Sequence, residues 1–157
     1  MSLAPELSAV FDTVEPSSGR EQLETLMRST DGQIASIGQL LGFRLVEVGD
    51  GRVAFEATPS RAAYNPIGTV HGGYAATLLD SACGCAVQSK LTGRQGYTTL
   101  ELKVAYHRAM TETTGLVRAE GKVVQAGRRA AFAEATLKGA DGKLYATATS
   151  TLLVFER

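Results

Sequence analysis

The sequence predicts an α+β fold in which an antiparallel β-sheet wraps around one long central α-helix. Three observations lead there. A single long amphipathic stretch, about Tyr74 to Leu91, is preceded by a hairpin pattern and followed by four strand patterns. Short glycine-bearing turns join those strands, as suits antiparallel neighbours. The strands alternate apolar with polar residues, so the sheet has one dry face, and only the long helix can cover it.

Taken in order, residues 1–30 mix Pro5, Pro16 and Ser17-Ser18-Gly19 with one helical run, Glu21 to Arg28. Leu23, Leu26 and Met27 fall at helical spacing there, which reads as an N-terminal arm that covers part of the domain spanning 31–157. From Asp31 a shorter helix is expected, with Ile34, Ile37, Leu40 and Leu41 on one face and Gly42 as its C-terminal cap. Phe43–Val48 and Arg52–Thr58 flank Gly49-Asp50-Gly51 and form the hairpin. Residues 59–73 hold Pro59, Pro66, Gly68, Gly72 and Gly73, so the chain must loop.

The long helix should present Ala75, Leu78, Leu79, Ala82 and Ala86 as its apolar face, with Gly93 beyond its end. Strands follow at about Tyr97–His107, Leu116–Gln125, Ala130–Lys138 and Leu144–Phe155. Val117, Ala119 and Val123 alternate with Arg118, Glu120 and Lys122, marking one solvated face.

Composition narrows the function. Of 157 residues, 44% are hydrophobic and 20% charged, as in an ordinary globular domain. Sixteen basic side chains balance sixteen acidic ones, so no overall field draws the chain to nucleic acid or anionic lipid. The longest apolar stretches fall far short of the ~20 residues of a membrane helix, and no basic-then-apolar leader opens the sequence, so a cytoplasmic protein is expected. Cys83 and Cys85, two apart on a helix, point in different directions and read as small core residues without a disulfide.

The chemistry concentrates in Asn65-Pro66-Ile67-Gly68-Thr69-Val70-His71-Gly72-Gly73 and in Asp80 of the following helix. Gly72 and Gly73 open a helix whose first N–H groups lack internal partners, and the dipole favours negative charge there. A carbonyl placed at that end would be polarised, although the pair also reads as a tight turn. Asp80 sits mid-helix beside Leu79, where a carboxylate is costly unless it is held by a structural bond or used in catalysis.

His71 has no second histidine at metal-ligand spacing, His107 being distant, so no metal site is expected; a structural histidine donating to loop carbonyls is. Asn65 can be a turn residue or can bind a water or carbonyl. No serine-hydrolase elbow, Walker loop or dinucleotide fingerprint is present.

Together, Asn65, the Gly68-Thr69-Val70-His71-Gly72-Gly73 run and the helical Asp80 resemble the phenylacetate-pathway (PaaI-like) branch of the hotdog-fold thioesterases. The resemblance spans about residues 40–155. It implies hydrolysis of an acyl-CoA, with the Gly73 N–H on the thioester carbonyl, Asn65 assisting, and Asp80 as nucleophile or general base. Thr99 matches a residue that positions water, with Thr98 as the alternative. His71 and Gly72 would belong to the substrate-binding segment. No cofactor is implied, CoA being part of the substrate.

Where that family has a Tyr-x-Arg-Pro-like turn, this chain has Tyr106-His107-Arg108-Ala109, which leaves Arg108 as a candidate CoA contact without the proline. Arg128 and Arg129 after Gly127 could meet CoA phosphates or simply decorate a solvated turn. Two rivals remain on the same fold: a non-catalytic acyl-CoA binding module, which has no need of Asp80, and a hydratase, whose Asp and following His are not matched here.

Gly73 and Asp80 are seven positions apart, roughly 10 Å along a helix axis. One thioester cannot touch both, so a homodimer with shared active sites is expected, further paired as a dimer of dimers. Ala75, Ala76, Ala82 and Gly84 would let two helices approach closely.

Overall fold

The computed structural model describes residues 18–28 and 36–157, and the expectations for Pro5, Pro16, Asp31 and Ile34 lie outside them. Helix α1 spans Gly19–Arg28. It begins two residues before the apolar pattern because Ser18 and Glu21 form a capping box: the Glu21 N–H donates to Ser18 Oγ at 3.2 Å and the Ser18 N–H to Glu21 Oε2 at 2.8 Å. Helix α2, Ile37–Leu41, is capped by Ser36 and ends on Gly42 at φ +70°, a left-handed conformation that glycine adopts at least cost.

Strands β1 (Phe43–Gly49) and β2 (Arg52–Ala57) form the expected hairpin. A turn of 3-10 helix at Arg61–Ala63 interrupts the loop that follows. Helix α3 spans Gly72–Gln88. Its regular bonds stop at Gln88 and not at Leu91, because the Lys90 and Leu91 N–H groups donate to the carbonyls of Val87 and Gln88 and tighten the last turn. Strands β3 (Gln95–Tyr106), β4 (Val117–Ala126), β5 (Ala130–Gly139) and β6 (Leu144–Glu156) complete the molecule.

The six strands form one antiparallel sheet in the order β1-β2-β4-β5-β6-β3. Its inner face closes on α3, whose Leu78, Leu79, Ala82, Cys83, Ala86 and Val87 are fully buried. Burial of that stripe anchors the fold, since emptying one such leucine site costs ~2–5 kcal/mol. Helix and sheet meet at the backbone: a Cβ at Gly121 of β4 would lie 2.1 Å from the Ala82 carbonyl oxygen. A Cβ at Gly84 would lie 2.4 Å from the Tyr97 hydroxyl of β3.

That corrects one expectation. Ala75, Ala82 and Gly84 are buried inside their own chain, so their small size serves the close seating of α3 on its own sheet. The less buried stripe of α3 is Gly73, Ala76, Thr77, Asp80 and Ser81.

Candidate active site

Strand β3 runs antiparallel to α3, and three contacts fix their relative position. Tyr106 Oη donates to the Gly72 carbonyl at 2.9 Å, Thr99 Oγ1 donates to Asp80 Oδ1 at 2.9 Å, and the Tyr97 ring packs on Gly84. A bulge between Thr99 and Glu101 makes this possible. Tyr97 and Thr99 face the helix before it, while Leu102 and Val104 do so after it. Of the two threonines considered, Thr99 reaches Asp80, while Thr98 is exposed at the edge of the same cavity.

Asp80 is only partly buried, which explains how a carboxylate is tolerated mid-helix. With Thr99, Tyr97, Cys85 and Gln88 it lines a cavity of about 510 Å³, roofed by Leu23 and Leu26 of α1. Of the arm expected at residues 1–30, the described part is α1, which brings Leu23 and Leu26 to this cavity. Cys83 and Cys85 are free thiols, and burial pushes each up to about 12, so neither supplies a thiolate at neutral pH.

The loop before α3 is held by its own polar groups. Asn65 Oδ1 accepts the N–H of Ile67 at 3.1 Å and of Thr69 at 3.2 Å, and its Nδ2 donates to Thr69 Oγ1 at 3.0 Å. The Asn65 side chain therefore shapes the turn, with Gly68 at φ +90°. The Val70 N–H donates to the Met110 carbonyl at 2.9 Å, and the Glu112 N–H to Tyr64 Oη at 2.8 Å, pinning the loop to the chain beyond β3.

His71 is structural in the opposite sense to the one expected. As the N-cap of α3, its Nδ1 accepts the Gly73 N–H at 2.8 Å, and its own backbone N–H donates to the Ala63 carbonyl. The donor expected to meet a substrate carbonyl is thus capped by its neighbour in the chain. Gly72 lines a second cavity of about 360 Å³ together with Ala75, Tyr106, Arg108, Met110 and Tyr145.

Within one protomer these two cavities are distinct. Arg108 lies at the Gly72 end of α3. Arg128 and Arg129 lie at the other end of the sheet, where the Arg129 carbonyl accepts the Val154 N–H and Val154 pairs with Tyr97. The three arginines do not form one cluster.

A family model described as the thioesterase superfamily matches residues 67–146. The chain belongs to the thioesterase superfamily. This thioesterase is similar in structure to a conserved protein of Pseudomonas aeruginosa, 31% identical, with a TM-score of 0.73 over 81% of this chain and 99% of that one. It is also similar to a putative thioesterase of Ralstonia eutropha JMP134 described as phenylacetic acid degradation-related, 26% identical, with a TM-score of 0.73 over 83% and 98% of the two chains. A hypothetical thioesterase of Streptococcus pneumoniae solved with coenzyme A is 24% identical, with a TM-score of 0.66 over 73% and 87%. No curated protein sequence matches the chain. The fold is the hotdog fold, and the likeness is to its PaaI-like thioesterases. No helix among the described residues is long and apolar enough to cross a membrane.

Proposed function

We propose that this thioesterase hydrolyses an acyl-CoA thioester to a free carboxylic acid and CoA. The observation that carries the reading is the Thr99–Asp80 hydrogen bond at a cavity wall, on the same stripe of α3 as Gly73. A coenzyme A complex of a structural neighbour supports the leaving group. The reaction requires no cofactor, and a CoA substrate suits a cytoplasmic protein.

In this reading the carbonyl of the substrate takes the Gly73 N–H of one subunit in place of His71 Nδ1, and Asp80 of the partner subunit acts on its carbon. As a general base, Asp80 takes a proton from water, the water oxygen adds to the carbonyl carbon, and the C–S bond breaks to release the CoA thiolate. As a nucleophile it forms a mixed anhydride that water then cleaves. Thr99 donates to Asp80 and leaves its oxygen lone pairs to position that water.

The two cavities support a site shared between subunits. Gly72 and Asp80 line different ones, and the stripe between Gly73 and Asp80 carries only Ala76 and Thr77, small enough to admit a twofold-related helix. A dimer of dimers extends the same reading. Arg108, Arg128 and Arg129 are offered to CoA phosphates from the two ends of the site.

The test is hydrolysis of a panel of aromatic and straight-chain acyl-CoAs, read as thiol release above the buffer blank. Turnover of some members supports the reading. Tight binding with no release would make the protein an acyl-CoA binding module.

A further inference from the structure

We propose that α1 forms the far wall of the acyl pocket and that Leu26 sets the length of the acyl group accepted, an inference that rests on the thioesterase reading above. The cavity starts at Asp80 and Thr99 and continues along α3 past Cys85 to Gln88, away from Gly73 of the same helix. Its apolar side chains are Leu23, Leu26 and Tyr97, a surface for hydrocarbon. Among the described residues Arg157 is the one cation lining it, a poor match for the several phosphates of CoA.

The wall is built, and not merely nearby. The Gly19 N–H donates to the Leu91 carbonyl at 2.9 Å, and Gln88 Nε2 donates to Gln22 Oε1 at 2.9 Å in a buried pair. A Cβ at position 19 would lie 2.0 Å from the Gln88 carbonyl oxygen, so only glycine lets α1 seat this closely. Leu23 is then locked in the core at 3% exposure, and Leu26, the next turn along, is the half-buried side chain left at the cavity. Helix α1 lies before the stretch, residues 67–146, that the superfamily model matches.

The experiment uses the full chain carrying Leu26→Trp or Leu26→Ala. The protein contains no other tryptophan, so the introduced indole reports on the cavity alone. Non-hydrolysable S-butyl-CoA and S-decyl-CoA thioethers, and CoA itself, are titrated against its fluorescence. The decyl thioether is expected to shift the emission, with CoA leaving it unchanged and the butyl thioether doing little. In turnover, Leu26→Trp should lower kcat/KM for decanoyl-CoA by ~10-fold or more relative to butyryl-CoA, and Leu26→Ala should move the preference toward longer chains. A fluorescence response to CoA as large as to the decyl thioether overturns the proposal. So does a change in kcat/KM that is equal at every chain length. If Leu26→Trp loses its native circular dichroism, the length profile of Leu26→Ala decides alone. Were the wild type to hydrolyse no acyl-CoA, the catalytic reading would fall, while a chain-length-dependent fluorescence shift would still support α1 as the acyl wall.

Discussion

Thr99 is the side chain that gives Asp80 a fixed direction, through a hydroxyl 2.9 Å from the carboxylate. Asp80→Asn keeps the shape and removes the base or nucleophile, so kcat should fall by ~10²-fold or more while the unfolding midpoint barely moves. Thr99→Val is expected to lower kcat by ~10-fold with KM nearly constant, because it frees the carboxylate without removing it. Steady-state kinetics on folded protein checks both, and wild-type turnover by Asp80→Asn would remove that residue from the mechanism. Cys83 makes a different prediction: with its thiol pushed up to about 12 by burial, it should resist thiol reagents at about pH 8 until the protein is denatured. At this scale the sequence was legible where a residue type is costly out of context. A mid-helix aspartate is such a residue. Asn65 and His71 were not readable to the same degree, since their roles depend on which backbone N–H falls within reach, and periodicity carries nothing about that.

Among the elements, hydrophobic spacing located α1, α3 and the six strands to within a few residues, because burial of one face is what the spacing records. It did not announce the 3-10 turn at Arg61–Ala63, and Ile37 and Leu40 of α2 are exposed, not buried as an apolar face. The differences lie at ends, where hydrogen bonding decides and not pattern: the Ser18–Glu21 box extends α1, and the tightened turn after Gln88 shortens α3. Spacing also showed that α3 carries small residues without showing what they pack against. Gly84 meets Tyr97 of the same chain. Gly84→Ala should therefore cost ~1–3 kcal/mol in denaturant unfolding, by forcing the Tyr97 ring off the helix. A fully stable Gly84→Ala would mean that the ring has room to give. The exposed face of the sheet is organised by charge: Arg118 bonds to Glu56 at 3.1 Å and Glu120 at 2.9 Å and also pairs with Glu47, tying β1, β2 and β4 together. Alternation along β4 announced that wet face but not its partners.

At the scale of the whole molecule, one protomer keeps Asp80 and the Gly72 end of α3 in separate cavities, and the shared-site reading makes activity a property of pairs. Asp80→Ala and Gly73→Pro should each be inactive alone. The second removes the N–H and also crowds His71 Nδ1, which would lie 2.9 Å from a new Cβ. Verified heterodimers of the two should recover about half of wild-type activity per dimer, since one interface joins a native Gly73 to a native Asp80 while the other collects both lesions. Heterodimers as inactive as either parent, with both mutants folded, would sink the shared site. The single-chain architecture was readable in the sequence because one helix had one sheet to cover. The expectation of a homodimer rests on the spacing of Gly73 and Asp80, and the heterodimer experiment tests it.

The bulge in β3 has one more effect. Leu100 is the unpaired extra residue between Thr99 and Glu101, and its side chain is 60% exposed. Its identity carries little, but its presence keeps Thr99 on the same side of the strand as Leu102 and Val104. Position 100 acts as a spacer in the reading of the strand. Replacing Leu100 with serine should cost far less activity than deleting it, because deletion turns one half of β3 inside out. In a family of such chains, this strand would tolerate a change of letter at that point and reject a change of length.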